Sequence, residues 1–222
     1  MKLTLAEELL LIALDDKRGK LITSSNFSLD FCLSGAILFD LTFGNQIILR
    51  EKTLEIASEI EPEDAIMKQA YQIIAQKNKS EDMQFWINEL CEKITGIRYA
   101  ILENLVAKDV LYKVEKKLLK IFSNPRYLPK NGELEYAVRA RIREIILHNQ
   151  PHDIKSTMLI ALVNTADLVE ELFPALNDLK IAREWIKKIS VENNVHISIS
   201  NTLKEIQKAV DASIIVPAIV RA

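Results

Sequence analysis

Cysteine, glycine and proline are scarce in this chain, and each scarcity excludes a class of structure. Its 222 residues include only 2 Cys, 5 Gly and 6 Pro, too few for a domain held by several disulfides or built from short strands and tight turns. Cys32 and Cys91 both lie in apolar helical context, which favours buried free thiols in a reducing compartment over a disulfide or a metal pair. Long stretches of Leu, Ile, Ala, Lys and Glu indicate helices instead.

Motifs for metal binding and catalysis are also missing from the sequence. His148, His152 and His196 do not belong to a quartet of His and Cys residues at short spacings, which a structural zinc site needs. There is no glycine-rich phosphate loop, nucleophile elbow or Cys/His dyad. We therefore expect no metal, no other cofactor and no catalytic residues, and we predict that the chain is not an enzyme.

No apolar run in the sequence is long enough to cross a bilayer. The longest covers residues 9–14, whereas a spanning helix needs about 20 residues. Met1 and Lys2 lead directly into the first predicted helix, without the features of a signal peptide. The net charge of −2 argues against a dedicated nucleic-acid binder, which is usually basic. These features predict a cytoplasmic protein whose membrane contact, if any, is peripheral.

Apolar patterning predicts one mainly helical globular domain over residues 1–222. Thr4 and Glu7 have the spacing of a capping box at the start of a helix over residues 5–15, which is apolar on every face and therefore buried. A second apolar helix covers residues 29–43. Amphipathic helices are expected to surround these two central helices, with short strands as a minor β element.

The amphipathic helices and strands have the following predicted positions. The helices cover residues 62–76, 97–107, 133–148, 153–173, 178–190 and 201–216, and Ser80 caps one more. The strands cover residues 46–50, 110–112, 117–122 and 127–128. Residues 52–61 are interpreted as a loop with a helical turn.

The order of these patterns resembles the Golgi phosphoprotein 3-like family. The resemblance rests on five segments: LTLAEELLLIALDDKRG at residues 3–19, LSGAILFDL at 33–41, MQFWINEL at 83–90, LENLVAKDVL at 102–111 and DIKSTMLIALVNTADLVEELF at 153–173. Each match is weak alone, but together and in order they are fairly specific and cover nearly all of the chain. Asp109 stands where the family usually carries Gly.

The resemblance implies a mainly α-helical, non-enzymatic protein. Eukaryotic members of the family bind phosphatidylinositol 4-phosphate on Golgi membranes and the cytoplasmic tails of resident glycosyltransferases. They can also self-associate through a β-hairpin late in the chain, which would fall at residues 148–156 here. The expected partners are therefore anionic phospholipid head groups, cytoplasmic protein tails and a second copy of the chain.

The family's lipid pocket is only partly matched in this sequence. It uses a Trp before the second helix, an Arg at the start of that helix and two basic residues on a later helix. Counting back from Gly35, Ser34 stands at the Arg position and Ser25 near the Trp position. The resemblance places the basic cluster of the later helix at three arginines: Arg139, Arg141 and Arg143.

Local charge independently indicates the same region. The segment from residue 113 to residue 143 contains nine Lys and Arg residues and three Glu. Its net charge is therefore +6, and it should attract phosphate groups. Arg139 and Arg143 share a helix face at i, i+4, whereas Arg141 points away. We hypothesise that Arg139 and Arg143, with Arg126 or Lys130, hold an anionic head group, which the family resemblance identifies as a phosphoinositide. The alternative is a solvated helix face on which Glu135 pairs with Arg139.

Two further functions stay open at this stage. A protein-interaction scaffold would explain the substituted Trp and Arg positions if only tail binding is retained. Residues 97–128 could instead form a helix and a small β-wing, resembling a winged-helix DNA reader. This wing would carry Lys116, Lys117, Lys120 and Arg126. Against this second function, the helix carries Glu103 and the chain is acidic overall. Phe27 and Tyr127 are candidate side chains for shallow membrane insertion, and the alternative is that both are partly buried loop aromatics.

Overall fold

The fold is mainly helical, as predicted. The computed structural model describes residues 2–15, 17–22, 28–50, 53–77, 81–115, 117–118, 121–122 and 125–191. The helices in this part of the chain are α1 (Leu5–Ile12), α2 (Leu29–Phe43), α3 (Ala65–Lys77), α4 (Met83–Lys93), α5 (Ile97–Ala107), α6 (Glu133–His148), α7 (Ile154–Thr165), α8 (Val169–Leu172) and α9 (Leu176–Val191). The helix predicted at residues 201–216 lies outside the described residues.

The strands form small antiparallel pairs, which confirms the minor β element. They are β1 (Leu14–Asp15), β2 (Lys20–Leu21), β3 (Ile47–Arg50), β4 (Thr53–Ile56), β5 (Glu81–Asp82), β6 (Leu111–Val114), β7 (Lys117–Leu118), β8 (Ile121–Phe122) and β9 (Arg126–Pro129). β1 pairs with β2, β4 lies between β3 and β5, β6 pairs with β9, and β7 pairs with β8. The β7–β8 pair lies between β6 and β9 in the sequence; Leu111 lies opposite Pro129 and Lys117 opposite Phe122.

Helix α1 lies at the centre of the fold because it has no polar face. All of its residues are buried, and it packs against α2, α5, α6 and α7. The predicted capping box is present: Thr4 Oγ1 accepts from the Glu7 backbone N–H (3.2 Å), and Glu7 Oε2 accepts from the Thr4 N–H (2.9 Å). The helix ends at Ile12 rather than near Asp15, because Leu14 and Asp15 pair with β2.

Several further predicted helices differ in their bounds or caps. The helix predicted at residues 62–76 begins at Ala65 as α3, because Asp64 Oδ1 accepts from the Ile66 (3.0 Å) and Met67 (3.1 Å) N–H groups at its start. The helix predicted at residues 153–173 is divided into α7 and α8, because Asp167 adopts a left-handed conformation (φ 58°) that a helix cannot continue through. The cap of α4 is Asp82, whose Oδ1 accepts from the Phe85 N–H at 2.8 Å; the predicted cap, Ser80, lies outside the described residues. Residues 52–61 contain β4 rather than a helical turn.

The late hairpin implied at residues 148–156 is absent from this described part of the chain. Asn149 ends α6 in a left-handed conformation, and Asp153 caps α7 through a hydrogen bond from the Ser156 N–H to its Oδ1 (2.7 Å). Only residues 150–152 remain between the two caps, too few for a pair of strands. Self-association therefore stays a prediction, but it cannot use this hairpin.

Both cysteines are free thiols. Burial raises the pKa of Cys32 to about 12 and that of Cys91 to about 11. Both side chains therefore stay protonated at neutral pH and are poor nucleophiles. No helix within the described ranges combines the length and the apolar character needed to cross a membrane.

Asp40 ties the start of α1 to α2 through a carboxylate whose pKa is strongly shifted. Its Oδ2 accepts from the backbone N–H groups of Leu5 (2.7 Å) and Ala6 (3.4 Å). Burial raises the pKa of Asp40 from its ordinary 3.8 to about 7, although these hydrogen bonds and Lys155 act in the opposite direction. Above neutral pH the Asp40 carboxylate is therefore charged, and burying this charge lowers the free energy of unfolding.

We expect this shift to make stability fall as the pH rises from about 4 to about 7, because the folded state then binds more protons than the unfolded state. Asp40→Asn should flatten this dependence by an amount on the order of 1–3 kcal/mol. The measurement is the urea unfolding free energy of both proteins across this range. Asp64 and Asp153 have lowered pKa values, so the stability that their carboxylates contribute is lost at a pH below this range. Parallel curves for the two proteins would show that Asp40 does not titrate in this window.

Candidate functional site

Arg139 makes hydrogen bonds at the end of α1 and does not project freely into solvent. Its Nε donates to Glu135 Oε1 at 2.7 Å, the i, i+4 pair that the sequence offered as the alternative to lipid binding. Its guanidinium also donates to the carbonyl oxygens of Ile12 (3.1 Å) and Leu14 (3.5 Å). These carbonyls follow the last turn of α1 and lack helical partners. Arg139 therefore supplies the hydrogen bonds that α1 cannot make for itself.

Arg143 lies one turn further along α6 than Arg139 and also connects other elements of the fold. It donates to the Leu172 carbonyl oxygen (2.7 Å) and to Asp178 Oδ2 (2.8 Å), and its guanidinium lies 5.3 Å from the centre of the Phe173 ring. These contacts connect the end of α8 with the start of α9. A lipid phosphate bound by both terminal nitrogens of Arg143 would compete with these contacts.

Arg141 and Lys155 share a buried carboxylate. Glu8 is 4% exposed and accepts from Arg141 (2.5 Å) through Oε2 and from Lys155 (2.9 Å) through Oε1. Lys155 also donates to the Leu3 carbonyl oxygen at 2.7 Å. Arg141 thus points away from Arg139 and Arg143, as predicted, but towards the protein.

The remaining sequence candidates lie apart from one another. Lys130 pairs with Asp109, and Arg126 lies on β9 opposite Val114. Ser34 is fully buried and donates to the Asp30 carbonyl oxygen at 2.9 Å, so it cannot contact a ligand. Ser25 and Phe27 lie outside the described residues. Head-group binding by Arg139, Arg143 and their neighbours stays a prediction, and it would require the intramolecular contacts above to open.

Tyr127 is not available for membrane insertion. It is 2% exposed, and its hydroxyl donates to Glu103 Oε1 at 2.7 Å. Lys113 also pairs with Glu103, at 2.8 Å. Burial and the Glu103 carboxylate raise the pKa of the Tyr127 phenol. The prediction that Tyr127 inserts into a bilayer is wrong, because this side chain packs inside the protein.

An open cleft of about 460 Å³ lies where the starts of α2 and α5 approach the β1–β2 hairpin and β9. Its lining combines apolar, aromatic and charged residues. They include the apolar residues Leu14, Leu21 and Leu102, the aromatic residues Tyr99 and Tyr127, and the charged residues Lys20, Asp30 and Arg98. The cleft therefore offers both polar and apolar contacts to one small ligand.

Gly19 holds the β1–β2 hairpin against β9 at the edge of this cleft. It adopts φ 62°, and a Cβ atom here would lie 2.8 Å from the Tyr127 carbonyl oxygen. The Tyr127 N–H donates to the Gly19 carbonyl oxygen at 2.8 Å. Asp15 Oδ1 orders the turn by accepting from the N–H groups of Lys17 (3.0 Å) and Arg18 (2.9 Å). A side chain at position 19 would separate the two elements.

The charges of the cleft favour an anion bound against the start of α5. Arg98 lies in the first turn of α5, and its Nε donates to Asp30 Oδ1 at 2.5 Å. Gly96 precedes the helix in a left-handed conformation and provides no side-chain cap. Backbone N–H groups at such a helix start attract anions, and Lys20 adds an exposed cation at the same cleft.

A family model described as Golgi phosphoprotein 3 (GPP34) matches residues 5–212 of the chain. The chain belongs to the Golgi phosphoprotein 3 (GPP34) family. The match confirms the resemblance that the five sequence segments carried. It also covers every element of the fold described above, from α1 to α9.

The helix that lies beside the start of α2 differs from the one that the resemblance implied. The resemblance implied a site beside the start of the second helix, with basic residues from a later helix. In the structure, α5 with Arg98 lies beside the start of α2 and pairs with Asp30. The arginines of α6 instead contact the ends of α1 and α8 and the starts of α1 and α9.

Arg98 was not among the candidate residues predicted from the sequence, because that prediction followed dense positive charge. Arg98 is isolated in the sequence, and its significance depends on Asp30, which lies in another helix. One local signal was present. Thr95 and Gly96 interrupt the helical pattern immediately before Arg98, which places this Arg in a first helical turn, where its charge is unfavourable unless an anion is near.

Proposed function

We propose that this GPP34-family protein is a non-catalytic adaptor of the cytoplasm that binds peripherally to membranes by holding a phosphate-bearing lipid head group, with phosphatidylinositol 4-phosphate as the expected lipid. The observation that carries the proposal is the cleft at the start of α5. Lys20, Arg98 and helix N–H groups without a side-chain cap meet there beside apolar residues.

The chemistry of this cleft suits a sugar phosphate better than a simple anion. The planar guanidinium of Arg98 can hold two phosphate oxygens, and Lys20 can neutralise part of the remaining charge. The Tyr99 ring, which is 48% exposed and lines the cleft, offers an apolar face to the C–H groups of an inositol ring. The volume of about 460 Å³ is within the range of small-ligand sites.

Two cations alone bind a membrane weakly, since each contributes about 1 kcal/mol near an anionic surface. The hairpin of β6 to β9 supplies a second element beside the cleft, because Pro125 and Tyr127 belong to both. The sequence between β6 and β9 includes KKLLKIF at residues 116–122, which combines lysines with apolar residues. We expect this segment to strengthen membrane association without selecting a particular head group.

The proposal predicts that Arg98→Gln reduces binding to phosphatidylinositol 4-phosphate vesicles by at least about tenfold, a loss of about 1.4 kcal/mol. Arg183→Gln is the matched control. Arg183 also pairs with a carboxylate, Glu170, at 2.7 Å, so both variants remove one positive charge, but α9 lies outside the cleft lining. Co-sedimentation with vesicles at physiological salt measures both, and thermal unfolding confirms that each variant is folded. Equal binding by the two variants would contradict the cleft as the site.

A protein-interaction scaffold is the second candidate function. The observation that favours it is Ile60, which is 76% exposed between Glu59 and Glu61 in the link from β4 to α3. An exposed apolar residue flanked by carboxylates suits a peptide that carries both basic and apolar side chains. This function predicts that synthetic basic tail peptides bind and that Ile60→Ser weakens them, with no effect of Arg98→Gln.

A further inference from the structure

We infer that Asp30 is an internal competitor for the phosphate at Arg98 and thereby determines which head groups the cleft accepts. The inference rests on the proposed function of the cleft. The two side chains come from different helices, α2 and α5, and meet at 2.5 Å between Asp30 Oδ1 and Arg98 Nε. Both line the cleft. The carboxylate thus occupies one edge of the guanidinium that a phosphate would use.

The pair is placed where a ligand can open it. The Asp30 side chain is 36% exposed and that of Arg98 is 16% exposed, so solvent reaches the carboxylate from the cleft. If a phosphate dianion displaces Asp30 from the Arg98 guanidinium, the Asp30 carboxylate lies close to the negatively charged phosphate. Such a juxtaposition opposes binding unless the carboxylate gains a new hydrogen-bond donor.

A head group with hydroxyl groups next to its phosphate provides that donor. An ionised carboxylate accepts hydrogen bonds but donates none, so Asp30 can accept from the hydroxyls of an inositol ring once Arg98 holds the phosphate. A phosphatidic acid head group has no neighbouring hydroxyl and would leave Asp30 repelling its phosphate. Asp30 therefore acts against bare phosphates while tolerating a polyol phosphate, which makes it a specificity residue of this cleft.

A simple structural role for the pair leads to the opposite expectation. If Asp30 only connects α2 with α5, removing its charge should lower stability and leave Arg98 less ordered, so that every phosphate ligand binds more weakly. The two roles are separated by the sign of the affinity change and by its dependence on the ligand. Thermal unfolding alone would not separate them.

The test titrates two water-soluble short-chain lipids, dioctanoyl phosphatidylinositol 4-phosphate and dioctanoyl phosphatidic acid, into four proteins by calorimetry. The proteins are the wild type, Asp30→Asn, Arg98→Gln and the double variant. We expect Asp30→Asn to bind phosphatidic acid about tenfold more tightly than the wild type, equivalent to about 1.4 kcal/mol, and the phosphoinositide by a smaller factor. The double variant should lose both gains. Asp30→Ser must reproduce the result if Asp30→Asn is poorly folded.

The outcomes separate this inference from the proposed function. If the wild type binds the phosphoinositide through Arg98 but Asp30→Asn binds phosphatidic acid no more tightly, the inference is overturned and the proposed function stands. If Asp30→Asn gains affinity that depends on Arg98 while the wild type does not bind vesicles, the inference is supported and the proposed function fails. Absence of binding by all four proteins overturns both.

Discussion

Glu8→Gln should lower the free energy of unfolding by about 3 kcal/mol. Glu8 is buried in α1 and is the shared carboxylate of Arg141 and Lys155. Without this carboxylate, the Arg141 and Lys155 cations lie close together with no negative charge between them. Lys155 keeps only the Leu3 carbonyl oxygen as an acceptor. The loss of one partner from a buried ion pair typically costs about 3–5 kcal/mol, and the lower end applies because Arg141 is 39% exposed.

Chemical denaturation of Glu8→Gln and Glu184→Gln tests this expectation. Glu184 lies exposed on α9, and a surface substitution there should change the unfolding free energy by no more than about 0.5 kcal/mol. Equal, small effects of the two variants would mean that the Glu8 network does not hold α1 against α6 and α7. In that case the apolar packing of α1 alone would position it.

Arg139→Met should be comparably destabilising, by about 3 kcal/mol, although Arg139 was predicted from the sequence to bind lipid. The variant leaves Glu135, which is 3% exposed, without the cation at 2.7 Å. It also removes the donors to the Ile12 and Leu14 carbonyl oxygens. Burying a carboxylate without its partner is costly even when the replacement side chain fills the same space.

Arg183→Met is the control for this experiment because its ion pair with Glu170 is exposed on both sides (63% and 68%). Such surface pairs contribute about 0–1 kcal/mol. If both variants unfold at the same urea concentration, Arg139 is not the structural residue that its contacts indicate. The comparison also bears on lipid binding: reversing the charges of Arg139 and Arg143 would disturb the ends of α1 and α8, so lost binding by that variant would not identify a ligand site.

Much of the fold was predictable because its signals are local. Hydrophobic patterning and terminal residues placed α2, α5 and α6 at their observed bounds, and the spacing of Thr4 and Glu7 predicted the capping box. The division between α7 and α8 was not predicted, because Asp167 adopts its left-handed conformation within a continuous apolar pattern. β4 was missed because a short strand depends on pairing with β3 and β5, which a local pattern does not reveal.

The candidate site was less predictable for a related reason. The pairing of Glu135 with Arg139 could be foreseen, since residues four apart share a helix face. The cleft could not, because it joins Lys20, Asp30 and Arg98 from separate elements. Charge density along the sequence drew attention to the arginines of α6, whereas Arg98, which like them has a carboxylate partner, is the arginine that lines the cleft.

Binding of the wild-type protein to vesicles of matched surface charge tests the central claim most directly. Neutral vesicles, vesicles with phosphatidylserine and vesicles with phosphatidylinositol 4-phosphate would be compared by co-sedimentation at physiological salt. We expect preferential binding to the phosphoinositide, because the cleft can hold a phosphate and the hydroxyls beside it. Equal binding to both anionic vesicles, or binding to none, would contradict head-group recognition and leave a generic electrostatic contact or a protein partner as the function.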